Sequence, residues 1–190
     1  MEKTDFDGQQ AGERVLYIIS PHPAHLILAV ARVVFPAVLF FVIIAFISYV
    51  IPDFSWLLRL IGGLLSLALT AFGVWWNLAV FRKSKSFVTD RRILRFDFTT
   101  PFVMTKRGLF WNETLKVKAY APNLLWRWLN VGVVEVEPVM GERESVTVSY
   151  VYYFEDLGNY LDKVLYLFKN HPDELAQLKP FVALPRGNRG

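Results

Sequence analysis

Five cations, Arg82, Lys83, Lys85, Arg91 and Arg92, fall within eleven residues. Guanidinium and ammonium groups at such density bind anions, phosphate above all. The cluster is not an average property of the chain. From Arg82 to Arg127 there are eleven Lys or Arg against three acids. Residues 1–81 hold four against five, and residues 128–190 six against nine, which together give the formal net charge of +4. Beside an anionic bilayer each such cation gains ~1 kcal/mol, fading over a Debye length of ~8–10 Å. The plainer reading is a topology signal followed by a solvated strand face; the sharper one is contact with lipid headgroups.

Other chemistry is thinner. His22 and His25 stand three apart, a helical spacing, but two imidazoles do not close a metal site; a juxtamembrane structural role suits them better, and no metal or cofactor is expected. Glu135 and Glu137 alternate along one strand, which suits an exposed face better than a catalytic pair. Trp126, Arg127 and Trp128 fit either a dip into the membrane interface or the core and rim of a domain. There is no Gly-rich phosphate loop, no nucleophile motif and no cysteine. The reading is therefore of a protein that is not an enzyme. A net charge this modest does not argue for nucleic acid.

The elements that must position these residues are of two kinds. Val33 to Ile51 and Leu60 to Phe81 carry no charged side chain. At ~1.5 Å rise per residue each run reaches roughly 30 Å, a bilayer's hydrocarbon thickness. The second run has eleven Leu, Ile, Val or Phe residues, on the order of −5 kcal/mol on an insertion scale. Arg32 and Arg59 lie near the ends, where long side chains snorkel. Pro36, inside the first run, predicts a kink. Asn77 either bonds across to the other helix or marks the interface. The short link around Asp53 forces an antiparallel hairpin, about 24–51 and 57–81, within a 24–82 membrane segment. Trp56 sits at one membrane surface and Trp75 and Trp76 near the other, as an aromatic belt requires. No cleavable signal peptide is expected. Arg82, Lys83 and Lys85 against a link without positive excess place both termini in the cytoplasm, at the inner cell membrane.

After Lys83 the period changes to two. Leu94, Phe96 and Phe98 alternate with Arg95 and Asp97; Leu115, Val117 and Ala119 with Lys116 and Lys118; Val134 and Val136 with Glu135 and Glu137. Val146, Val148, Tyr150 and Tyr152 share one predicted face. Turns fall at Thr99–Pro101 and Met140–Arg143. Leu157, Tyr160, Leu161, Val164, Leu165 and Phe168 then follow helical spacing, with Asp156 as N-cap, and a short helix starts at Pro172. The tail from Pro185 is expected to be loose. The predicted division is 1–23 cytoplasmic and juxtamembrane, 24–82 hairpin, 84–170 cytoplasmic domain, 171–190 short helix and tail.

The order of short strands and then one closing helix resembles the pleckstrin-homology fold. Two stretches, "GERVLYIISPHPAH" at 12–25 and "FVTDRRILRF" at 87–96, flanking a two-helix hairpin, are similar to the bacterial membrane-anchored (YdbS-like) pleckstrin-homology family. "LLWRWLNVGVVEVEP" at 124–138 is similar to that family's helical turn, glycine and strand; Thr99–Pro101 departs from its usual glycine turn. The resemblance implies an α+β membrane protein: a transmembrane hairpin, then a small antiparallel β-barrel or sandwich capped by a C-terminal helix. It supplies architecture more than activity. The leading expectation is a scaffold or adaptor with a protein partner or a homo-oligomer. The alternatives are a module sensing anionic membrane lipids through Lys83, Lys85, Arg91 and Arg92, and an accessory subunit of a transporter or membrane enzyme.

Overall fold

A computed structural model describes residues 6–51, 53, 55–139 and 144–184. The predicted turn at 140–143, the tail from 185 and part of the inter-helix link, residues 52 and 54, lie outside the described residues. The chain divides into two units: one of the helical segment 23–82 with 100–102, the other of the remaining residues.

In the helical unit α1 spans Pro23–Val50 and α2 spans Ser55–Lys83. Both are long and apolar enough to cross a membrane. At ~1.5 Å per residue each is about 40 Å long, more than the hydrocarbon layer alone requires. Small residues set their approach. A Cβ on Gly62 would stand 2.5 Å from Ile44 Cγ2, and one on Gly73 2.3 Å from Val33 Cγ1. Ser66 Oγ donates to the Ala37 carbonyl at 2.8 Å, so α2 faces α1 along its small residues. Arg59 Nε donates to Ser48 Oγ at 2.8 Å, and Ser48 Oγ to the Ala45 carbonyl. Asn77 Nδ2 donates to Gly73 O of its own helix; of the two predicted roles, this bond is not the one across the pair.

The other unit holds two antiparallel sheets. The first has the order β1 (Val15–Ile19), β2 (Lys85–Thr89), β3 (Arg92–Phe98), β4 (Met104–Phe110). The second has β5 (Thr114–Tyr120), β6 (Val131–Pro138), β7 (Val146–Tyr152). A 3-10 turn at Trp111–Glu113 joins them, and the short helix α3, Leu124–Trp128, lies between β5 and β6. Helix α4, Phe154–Asn170, packs Leu157, Leu161, Val164 and Leu165 into the core against β5 and β6. Gly158 allows the close approach: a Cβ there would meet the Ala119 Cβ at 2.5 Å. Helix α5, Pro172–Leu175, and Phe181 close the same core.

Three expectations change. Residues 15–19 are not merely juxtamembrane: they form β1, antiparallel to β2, with Ile19 opposite Ser86. The predicted faces hold for Val117 and Ala119 in β5 and for Val146 and Val148 in β7, and change only across a bulge in each strand. In β5 the register slips between Thr114 and Lys116, so Thr114 is buried and Leu115 exposed. In β7, Gly132 pairs with Val151 and Val133 with Ser149, leaving Tyr150 as the extra residue at φ 59°. One extra residue inverts the alternation, so Val151 rather than Tyr152 enters the core. Helix α4 begins before Asp156, with Tyr153 at its N-cap in a left-handed conformation and Asp156 in the first turn.

Candidate functional site

The basic cluster is divided by the fold. Arg82 and Lys83 end α2, where cations suit the helix dipole. Lys83 Nζ stands 5.7 Å from the Phe98 ring centroid. Lys85 opens β2 opposite Phe96. Arg91 and Arg92 lie past the other end of β2, roughly 15 Å away at ~3.3 Å per strand residue. The two sets therefore lie at opposite ends of β2.

Arg92 is already engaged. Its Nε donates to Glu13 Oε1 and its Nη2 to Glu13 Oε2, both at 2.9 Å, and Nη2 also to the Gly8 carbonyl at 2.7 Å. The Glu13 side chain is fully buried and that of Arg92 is 11% exposed. Thr89 Oγ1 lies 2.9 Å from Glu13 Oε1 and accepts the Arg92 N–H at 3.0 Å. Burial would raise the Glu13 carboxyl, but hydrogen bonds from Arg92, the Gln10 N–H and Thr89, with the Arg92 charge, hold it below its ordinary value. The same bond to Glu13 raises Arg92, against its own burial. Arg91 donates to Gln10 Oε1 and the Ala11 carbonyl, and Lys106 to the Asp7 carbonyl.

These bonds lash residues 6–13 across the outer face of the first sheet. Phe6 is the apolar anchor, with its ring 4.9 Å from Phe87 and 6.2 Å from Phe96. Gly8 and Gly12 take positive φ, 81° and 73°, which lets the segment turn back on itself. Arg14 N–H donates to Asp90 Oδ1 at 3.0 Å, and Asp90 N–H to the Arg14 carbonyl. The stretches "GER" and "TDRR" are thus two halves of one polar joint, completed by Trp111 Nε1 donating to the Thr89 carbonyl. Along the chain their bonded residues stand 76 or more positions apart and show no sign of pairing. The available signals were a lone acid before the strand-like run Val15–Ile19 and the glycines that precede it.

The opposite end of the sheet is where the chain enters and leaves the helical segment. His22 N–H donates to the Tyr150 carbonyl at 2.8 Å, and its ring centroid lies 4.1 Å from that of Tyr152, the planes tilted by 56°; burial lowers its basicity. Trp126, buried on α3, meets Tyr150 edge-on at 5.1 Å. Of the paired readings for "WRW", Trp126 takes the core role, while Trp128 is 81% exposed. Glu137 accepts from Lys116 at 3.3 Å and from Lys118. The bond to Lys118, outweighing desolvation, lowers the Glu137 carboxyl, and Glu135 accepts from Ser145. A groove between α4 and residues 178–182 is lined by Asp156, Tyr160, Lys163, Leu178 and Val182. Burial there pushes the Tyr160 phenol up to about 12.

On the helical unit, Trp56 and Trp75 are exposed, and Trp76 packs on Phe72. Much of the apolar surface of α1 and α2 is uncovered by the chain: Ala37 and Ser48 are buried in α1 and Gly62 in α2, while Phe35, Phe46, Leu64 and Leu67 are exposed. A core helix of a water-soluble protein would instead be covered by its own chain.

Compared with known protein families, curated proteins and solved structures, the chain matches none.

Proposed function

We propose that this is a non-enzymatic inner-membrane protein whose two helices cross the bilayer as a hairpin and display a pleckstrin-homology-like domain to the cytoplasm, as a scaffold or adaptor for a protein partner. The observation that carries the reading is the outward-facing apolar surface of α1 and α2. Covering large apolar side chains gains ~25 cal/mol per Å², and lipid is the solvent that covers such a surface on every side.

Strand pairing supports the two-pass topology. Ile19 pairs with Ser86, so β1 and β2 must lie on the same side of any membrane. The chain between them can therefore cross only an even number of times, which α1 and α2 together satisfy. The positive charge at Arg82, Lys83 and Lys85 favours the cytoplasm for that side. A four-stranded and a three-stranded sheet closed by α4 suit the pleckstrin-homology resemblance. A single headgroup pocket built from Lys83, Lys85, Arg91 and Arg92 is disfavoured by their separation and by Glu13.

Gentle detergent extraction followed by identification of what stays attached tests the role. A stoichiometric protein partner supports the adaptor; phospholipid alone points to a lipid module. A chain that stays in solution without detergent, or a C-terminal probe labelled from outside intact cells, overturns the reading.

A further inference from the structure

Leu124 and Trp128 on α3 are 83% and 81% exposed, the most exposed large apolar side chains described outside α1 and α2, and Leu125 is 60% exposed. They are not a frayed end. Asn123 caps the helix, its Oδ1 accepting the Trp126 N–H at 3.1 Å, and the buried Trp126 holds α3 against the domain. The helix is thus fixed on one side and presents Leu, Leu and Trp, with Arg127 between, on the other.

Its position is what gives these residues a partner. Trp126 packs on Tyr150, Tyr150 O accepts the N–H of His22, and the His22 ring lies on Tyr152. His22 is followed directly by Pro23, the first residue of α1. The exposed face of α3 therefore belongs to the end of the domain from which the apolar helix departs. Lys85, at the start of β2 and one pair from Ile19 opposite Ser86, marks the same end.

We propose that α3 is a second membrane contact: Leu124, Leu125 and Trp128 insert at the headgroup–acyl boundary of the leaflet from which α1 emerges, with Arg127 among the anionic headgroups. The inference rests on the reading that α1 and α2 span the bilayer. Trp and Leu beside Arg is the chemistry of an interfacial anchor, its apolar surface in the acyl region and its cation in the headgroup layer.

The natural chain has no cysteine, so one introduced cysteine gives a unique spin-label site. Full-length Leu125→Cys and Trp128→Cys, reconstituted in vesicles containing anionic lipid, would be compared with Glu174→Cys on α5 and Leu67→Cys within α2. Labels at 125 and 128 should collide several-fold less with a water-soluble nickel relaxant than the label at 174, and more with oxygen. If 67 is lipid-exposed while 125 and 128 match 174, the α3 contact is overturned and the hairpin reading stands. If 67 is as water-accessible as 174, the spanning reading fails first and takes the inference with it. Spin–spin broadening at 128 that disappears on dilution with unlabelled protein would assign the face to a second copy instead.

Discussion

The helical unit and the sheet unit spend similar side chains in opposite ways. In α2, Leu64, Leu67 and Leu69 are 61%, 67% and 51% exposed; in the sheet unit Leu109, Leu157 and Leu161 are 1% or less. The helices satisfy their own backbone, so they can leave their side chains uncovered by the rest of the chain. The strands satisfy theirs only by pairing, so the sheets must fold around a core of their own. Residue type alone does not say where an apolar side chain goes, and a helical backbone does not either: Leu157 and Leu161 are helical yet buried, because α4 lies on a sheet.

The contrast can be broken most directly by truncation. Leu161→Ala should cost the sheet unit about 2–5 kcal/mol, whereas Leu67→Ala should leave that unit's unfolding unchanged; pulse proteolysis of the full chain in micelles across a denaturant series reads both. Next comes the polar joint. Glu13→Ala strands the Arg92 guanidinium and should cost on the order of 3 kcal/mol, with residues 6–13 becoming open to protease. Its pH dependence has a definite sign. Because the folded Glu13 carboxyl lies below its ordinary 4.5, its contribution is present in full above 4.5 and is lost as pH falls through the lower folded value. Glu13→Gln should flatten that part of the acid limb, and an unchanged limb would remove Glu13 from the account.

A smaller effect tests the hairpin. Gly73→Leu forces a side chain into Val33 and should cost the helix pair roughly 1–3 kcal/mol, read as loss of cross-linking between cysteines placed on α1 and α2, with the sheet unit intact. Smallest is the exposed Arg107–Glu144 pair, 3.1 Å apart with side chains 48% and 77% exposed. Arg107→Ala should change stability by no more than ~1 kcal/mol, and a larger loss would mean that this surface is covered in the working protein.

Much of the architecture was legible along the chain. The two uncharged runs, the period-two segments and the 157–168 stripe each repeat within a few residues, and local repetition is what a sequence displays. The bulges at Leu115 and Tyr150 were not legible, because alternation continues in the letters while the backbone has slipped by one. The candidate site was only half legible. Arg91 and Arg92 read as free cations because Gln10 and Glu13 stand some eighty positions earlier, and nothing in spacing announces a partner that far away.

What the chain determined by itself is therefore the length and apolarity of α1 and α2, the strands around 94–98, 115–119, 134–137 and 146–152, and the closing helix. These follow from rise per residue, side-chain periodicity and turn chemistry, which act over neighbours. Only the tertiary structure decided which cations are spent on the protein's own carboxylate, which tryptophan of "WRW" is buried, and that residues 15–19 belong to the sheet. A charge or a ring is a property of one residue, but its partner is set by strand pairing across dozens of others.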